Sequence, residues 1–415
     1  MVKKPNRPLR VVLLTVPLLV LTSGVARAQF ETPPSLPGQQ LVPASLLSGD
    51  GFKVNEPVPT DGLMAHFTIV SDVGTFDAPS EEMLKIRVAE LPAIVQLTKT
   101  SKSQVFAQAL AANAAVPIQA AGQMVMNPVE TIQGLPAGVG RFFGRVGLGA
   151  EKIEQAATSP EGNTAQTVGQ TTRDVFGYEQ ERRKLAKNLG VDPYTTNPVL
   201  SKQLDDFALT AFRAHVAVTT TMSVFIPGSI AITGTRIVSQ WVWDKPKADL
   251  ILANQQGLQA LGVPETTINA MVQNRTFPLS VQTAFVANLG QLSGIPGSVE
   301  AATLASTAQS EVQARFLTDS VGMLARYSHE QAPIAKLMVR RAIIGQDVNG
   351  TIVAQAPVDY VSWIQLVSDF ANRPDLKRKH RTLWVTGQLS PMAKRKFQAA
   401  GWKVAEGINP IPDVQ

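Results

Sequence analysis

Apolar and polar positions along the chain predict a helical body with β structure at its two ends. In HFTIVSDVGTFDAP, residues 66–79, two short β-prone runs are separated by Ser71-Asp72-Val73-Gly74, which predicts a hairpin. A helix is predicted from Ser80, because Ser80-Glu81-Glu82 supplies an N-cap and early acids before Met83, Ile86, Val88 and Leu91 recur at helical spacings. The alanine-rich FAQALAANAA predicts another helix over 103–116, stopped by Pro117. Residues 172–243 read as mostly helical, and 257–297 as short helices broken at Gly262-Val263-Pro264, Phe277-Pro278 and Gly294-Ile295-Pro296. A longer helix over 310–327 carries Val312, Phe316, Val321 and Leu324.

The texture changes near Lys336. KLMVRRAIIG and TIVAQAPVDY read as two strands flanking Asp347-Val348-Asn349-Gly350, and Asn-Gly is a strong hairpin signal. A helix over 361–370, the strand RTLWVTG, a helix opened by Ser390-Pro391 and the strand GWKVAEG follow. The expected order is β-β-α-β-α-β, with the last two strands joined by a helix as in a parallel crossover. The expected fold class is mainly α, with a small C-terminal α/β module and a short N-terminal β-hairpin. The expected divisions are a signal peptide over 1–28, a Pro-rich arm or linker over 29–62, a mainly helical domain with its hairpin over 63–330, and a small basic module over 335–410.

LGVDPYTTNPVL, residues 189–200, reads as a joint between helices. Gly190 suits a helix stop, Asp192-Pro193 a turn, and Asn197-Pro198 a cap and first helical position. Leu200, Leu204, Phe207 and Leu209 then continue as an apolar stripe. Local backbone roles leave Tyr194, Thr195 and Thr196 unexplained, with the Tyr194 ring expected against a flanking helix.

Residues 1–28 combine a basic start, an apolar centre over 11–21 and an Ala26-Arg27-Ala28 ending, the pattern of a secretory signal peptide cleaved after Ala28. The apolar centre is short for a membrane span, which needs about 20 residues. The chain has no cysteine, which excludes disulfides, a thiolate nucleophile and thiolate metal sites. Its net charge of +6 is mostly carried by the leader: Lys3, Lys4, Arg7, Arg10 and Arg27 leave without any acid, so the mature chain is near neutral. What remains is divided, with residues 373–403 holding nine Lys and Arg against Asp375 alone. A solvated face is the ordinary fate of such a run, but charges on adjacent elements also sum into one field. Arg373, Lys377, Arg378, Lys379, Arg381, Lys394, Arg395 and Lys396 are therefore the candidate residues for an anionic envelope surface or an acidic protein partner. Near-neutrality of the mature chain and export both weigh against nucleic acid.

Few other patterns carry chemistry. GLPAGVG, residues 134–140, resembles the nucleotide loop of short-chain dehydrogenases in its glycine spacing, but QMVMNPVETIQ before it is no buried strand and contains Asn127-Pro128. The following segment places Arg141, Phe142, Phe143 and Arg145 in a short basic amphipathic pattern, a possible contact with a membrane or a partner. Residues 214–235 lack Lys, Arg, Asp and Glu, but Pro227-Gly228 near the middle favours a buried turn over a span. His329-Glu330-Gln331-Ala332-Pro333 has proline where a zinc-protease helix needs its second histidine. Neither a histidine metal pair nor a nucleophile elbow occurs, so no metal, cofactor or catalytic residue is expected, and Asp359 is expected to cap the helix containing Trp363. The functional expectation is a secreted periplasmic or envelope-associated, non-catalytic binding protein using its basic C-terminal module. Its alternative is a secreted hydrolase with a dispersed site gathering His329 or His215 with carboxylates or a hydroxyl such as Ser328 or Ser362.

Overall fold

The computed structural model describes residues 30–101, 164–214 and 241–409. The expected helix over 103–116, the Arg141 to Arg145 pattern and most of the uncharged segment 214–235 lie outside the described residues. Residues 30–62, expected as an arm, form regular structure: β1 (Ser35–Leu36), α1 (Ala44–Leu47), β2 (Ser48–Gly49), β3 (Phe52–Val54) and β4 (Val58–Pro59). With β5 (Phe67–Ser71) and β6 (Gly74–Ala78) they build a four-stranded antiparallel sheet of order β2-β3-β5-β6, while β1 pairs with β4. The β5/β6 hairpin closes with Ser71 opposite Gly74, and Phe67, Ile69, Phe76 and Ala78 bury their side chains on one face. Val42, Leu47, Val54 and Val58 join the same core. Strands of two or three residues are too short to display an alternating pattern, which is why this region reads as a linker in sequence.

Three helices close that core: α2 (Glu81–Ser101), α3 (Thr164–Leu189) and α4 (Pro198–Ala214). The Ser80 Oγ caps α2 by accepting from the Met83 amide at 3.0 Å. Leu84, Ile94 and Leu97 of α2 meet Leu185 and Leu189 of α3 and Leu200 and Leu204 of α4, all essentially without solvent exposure. Ile86 and Val88 lie at the margin of this core and remain partly uncovered. The 189–200 stretch joins α3 to α4, with Gly190 at φ +68° and the Asn197 Oδ1 accepting from the amides of Val199 and Leu200. One detail differs from expectation. Leu209 is 37% exposed and outside the stripe, and Tyr194 packs with Val242, Ala284 and Trp243 while Glu179, Arg182 and Arg183 of α3 lie near its hydroxyl.

Prolines immediately precede α5 (Lys247–Ala260), α6 (Glu265–Gln273) and α7 (Leu279–Gly290), followed by α8 (Ser298–Ser306) and α9 (Glu311–Glu330). A proline there sets the backbone for helix entry without removing a needed amide. Among the described residues no helix is long and apolar enough to cross a membrane.

The C-terminal strands correct the expected order. The run read as one strand contains two, β7 (Ile334–Val339) and β8 (Ile343–Asp347), turned between them at Arg340 to Ala342. Further on lie β9 (Ile352–Ala356), β10 (Tyr360–Val361), α10 (Gln365–Ala371), β11 (Arg381–Val385), β12 (Gln388–Leu389), α11 (Pro391–Ala399) and β13 (Lys403–Ala405). The five-stranded sheet has order β13-β11-β9-β8-β7; β7, β8 and β9 run antiparallel, whereas β9, β11 and β13 run parallel. Ile343 and Val353 face a core shared with α6 to α9, while Ile344, Ile352 and Ala354 face α10 and α11. Burial on both faces explains why IVAQA shows no polar alternation.

The fold is therefore not mainly α with an appended small module. Helix accounts for 51% and strand for 18% of the described residues, and the mixed sheet is the middle layer beneath α9. The N-terminal segment is stitched to this layer. The Glu31 carboxylate accepts from the Trp363 amide and the Ser390 hydroxyl, both at 2.5 Å, while the Glu31 amide donates to the Trp363 carbonyl at 2.9 Å. The Gly62 and Leu63 carbonyls accept from the amides of Ser362, Asp359 and Tyr360. Glu31→Ala leaves the Trp363 amide unsatisfied and is expected to cost about 1–3 kcal/mol in urea denaturation. Glu31→Gln, which retains an acceptor, should recover part of that loss; equal losses would refute a hydrogen-bonding role.

Candidate functional site

A groove of about 1240 Å³ opens between α2, α9 and the carboxyl ends of the parallel strands. Pro357 and Asp359 follow β9, Thr386 follows β11 and Gly407 follows β13, so three strand ends contribute to one rim. Ligands of open α/β sheets are held at this end because the loops there converge above the strands. Along the opposite wall, Ile86, Ala89, Pro92 and Val95 present an incompletely covered apolar stripe of α2. Asp50 and Lys99 also line the groove.

Its polar floor is built around Arg315. This guanidinium is 5% exposed and reaches Glu82 of α2 at 2.9 Å and Glu311, one turn earlier on α9, at 2.7 Å. One turn further on, the Asp319 carboxyl is hydrogen-bonded to Glu82. Burial pushes Asp319 well above the usual carboxylate range; the negative charge of Glu82 adds to this, and Arg315 only partly opposes it. A close contact between two carboxyls needs a proton, and the upward shift places it on Asp319, which faces Glu82. The paired acids hold Arg315 above its ordinary range despite its burial.

Behind this floor the sequence joint completes the arrangement. Thr196 donates to Glu311 and accepts from Arg87 at 2.7 Å; Thr195 donates to Glu90, which also pairs with Arg87 at 2.9 Å and accepts from the Asn197 amide group at 2.9 Å. The two threonines thus serve carboxylates of α2 and α9, and the Thr195 hydroxyl also accepts from the Asn197 backbone amide at 3.1 Å. Asp192, pushed up by burial, accepts from Ser280 at 2.5 Å and ties the joint to α7. Tyr194 remains unabsorbed by this arrangement, its hydroxyl buried without a hydrogen-bond partner.

Asp359 sits where the two sheets meet. Its Oδ2 accepts from the amides of Ala65 at 2.9 Å and Glu81 at 3.1 Å, so it serves the start of α2 and not α10, which begins at Gln365 and leaves Trp363 outside it. The partner was illegible in sequence because it lies 278 residues away. Gly387 permits the close approach: a Cβ there would lie 1.9 Å from the Asp359 carbonyl oxygen. Burial pushes the Asp359 carboxyl up to about 7 against the pull of the two amides, with Glu81 and Glu82 adding to the upward shift.

The basic candidates separate in space. Lys377, Arg378 and Lys379 lie exposed in the loop entering β11, at the end of the parallel strands opposite the groove. Lys394, Arg395 and Lys396 are exposed on α11. Arg373 pairs with Asp375 at 2.6 Å, Lys394 pairs with Glu406 at 2.5 Å, and Arg381 binds the Ala400 carbonyl and lies over the Trp402 ring. Among the described residues, Lys377, Arg378, Lys379, Arg395 and Lys396 have no acidic partner. The histidine-centred arrangement does not assemble. His329 is exposed at the end of α9, Ser362 is fully buried, the Ser328 hydroxyl accepts from the Ile334 amide, and His215 lies outside the described residues. Among the described residues no group of three or more His, Asp and Glu is placed to hold a metal.

The groove acids give stability a definite pH dependence. Asp359 retains its proton up to about pH 7 when folded but loses it near its ordinary value of 3.8 when unfolded, so the folded chain binds more protons in between. Stability contributed this way is present at low pH and lost as pH rises through that window, at no more than about 1.4 kcal/mol per pH unit. Asp359→Asn should flatten the fall of the urea midpoint between about pH 5 and 7, leaving the part due to Asp319; an unchanged slope would contradict the assignment. Comparison with protein-family models, curated proteins and solved structures found no match, so the assignment of a site rests on this geometry alone.

Proposed function

We propose that the chain is a secreted, envelope-associated binding protein that holds a ligand in the groove between α2, α9 and the carboxyl ends of β9, β11 and β13. The observation that carries this reading is the convergence of three strand ends and an uncovered apolar stripe on one large concavity with Arg315, Glu82 and Asp319 at its floor. Apolar walls with a few placed polar groups are the usual composition of a small-molecule site. The leader pattern supports export. The unpaired Lys377, Arg378, Lys379, Arg395 and Lys396 support attachment to an anionic envelope surface, on elements that leave the groove open.

A hydrolase using the same floor is the second reading, favoured by the hydrogen-bonded Glu82 and Asp319 carboxyls, which are suited to acid and base roles. It has less support because the hydroxyls at the groove are engaged: Thr386 donates to the Val358 carbonyl at 2.9 Å, and Ser80 caps α2.

Protein isolated from the envelope fraction, extracted with organic solvent and examined by mass spectrometry, should yield a small molecule that Ala89→Trp, which fills the groove, fails to retain. Identical extracts from both proteins would sink the binding reading. For the basic surface, reversing Lys377, Arg378, Lys379, Arg395 and Lys396 to Glu should abolish salt-sensitive retention on phosphatidylglycerol vesicles while the circular dichroism spectrum is preserved. Unchanged retention would remove that role.

A further inference from the structure

We propose that the groove is selective for a cationic amphiphile: an apolar chain lies along α2 and an amine head sits at the Glu82 and Asp319 end. This inference rests on the binding reading above and adds the chemical class of the ligand.

The head-group argument is one of donors and acceptors. Around the floor, Glu82, Glu90, Glu311 and Asp319 are served by the guanidinium groups of Arg87 and Arg315. Four carboxyls face two cations; Arg87, Glu90, Arg315 and Asp319 are buried, Glu311 is nearly so, and Glu82 is partly exposed to the groove. Lys85 does not redress the balance, because it pairs with Glu81 at 2.7 Å; Lys99 lines the groove in the last turn of α2, beyond Val95 and away from Glu82, and Asp359 adds another acid to the rim. The imbalance favours the protonated form of Asp319. An ammonium head relieves it instead by supplying three donors and a charge to the same oxygens. An anionic head meets the opposite situation: Arg315 already directs its N–H groups to Glu82 and Glu311, so a carboxylate or sulfate would lie beside like charges.

The tail argument is one of length and exposure. Ile86, Ala89, Pro92 and Val95 follow one another at three-residue steps along α2, each reaching the groove. From the first to the last the helix rises by about 14 Å, comparable with an extended decyl chain. Val312 and Phe316 of α9 flank the stripe on the side of Arg315. Apolar surface and acceptor surface are therefore segregated to different parts of one groove, as an amphiphile requires.

The test uses the full mature chain, Nile red as a neutral apolar reporter, and decylamine and decanoate as competitors below their micelle concentrations. Nile red should bind to the wild type and not to Ala89→Trp. Decylamine should displace it at least ten-fold more effectively than decanoate. Asp319→Asn, which leaves the Arg315 pairs in place, should weaken decylamine by about ten-fold relative to decanoate; Glu82→Gln with Asp319→Asn should weaken it further. Failure of wild-type Nile red binding, or equal binding by Ala89→Trp, overturns the groove reading itself. Nile red binding with equal displacement by the two competitors, or with decylamine unaffected by Asp319→Asn, overturns the cationic head while leaving the groove reading standing.

Discussion

A buried guanidinium has to be neutralised where it lies, and the placement of Arg315 governs the centre of this fold. Its partners come from α2 and from its own helix α9, while Thr196 of the α3–α4 joint supports one of them. Removing one partner of a buried pair leaves the other charge uncompensated, typically at a cost of about 3–5 kcal/mol. The helices carrying these groups therefore cannot separate cheaply. The groove lies between them and the strand ends.

Asp359 performs the corresponding task for the two sheets. One carboxylate oxygen serves an amide of the N-terminal region and the first amide of α2, while its own backbone continues the loop leaving β9. Through Glu31 and the 62–65 segment, the start of the described chain is further bound to its last third. These ties place the apolar stripe of α2 opposite the carboxyl ends of the parallel strands. The site thus follows from the same contacts that hold the architecture together, which is why its acids are both structural and chemically unusual.

Much of the local structure was legible. Ser80 and Ser390 cap the helices they precede, Asn349-Gly350 turns between β8 and β9, and Gly190 with Asn197 separates two helices. These signals act within about four residues and so survive in the linear pattern. The double strand within KLMVRRAIIG was missed because Arg340-Arg341 in an apolar run also fits one amphipathic strand. The folding of residues 30–62 was missed because its strands are too short to display a period. Of the candidate site, the basic run was conspicuous but half engaged in local pairs, whereas Glu82, Arg315 and Asp319 read as ordinary helix surface.

By itself the sequence determined where the chain turns, where helices begin, the leader pattern, the absence of thiol chemistry and the division of charge. Those properties depend on neighbouring residues or on composition. Tertiary structure alone decided which acids lose water and keep protons, because that depends on burial and on partners as distant as Glu82 and Arg315, 233 residues apart. Desolvation is a property of the assembled environment, and no spacing along the chain encodes it.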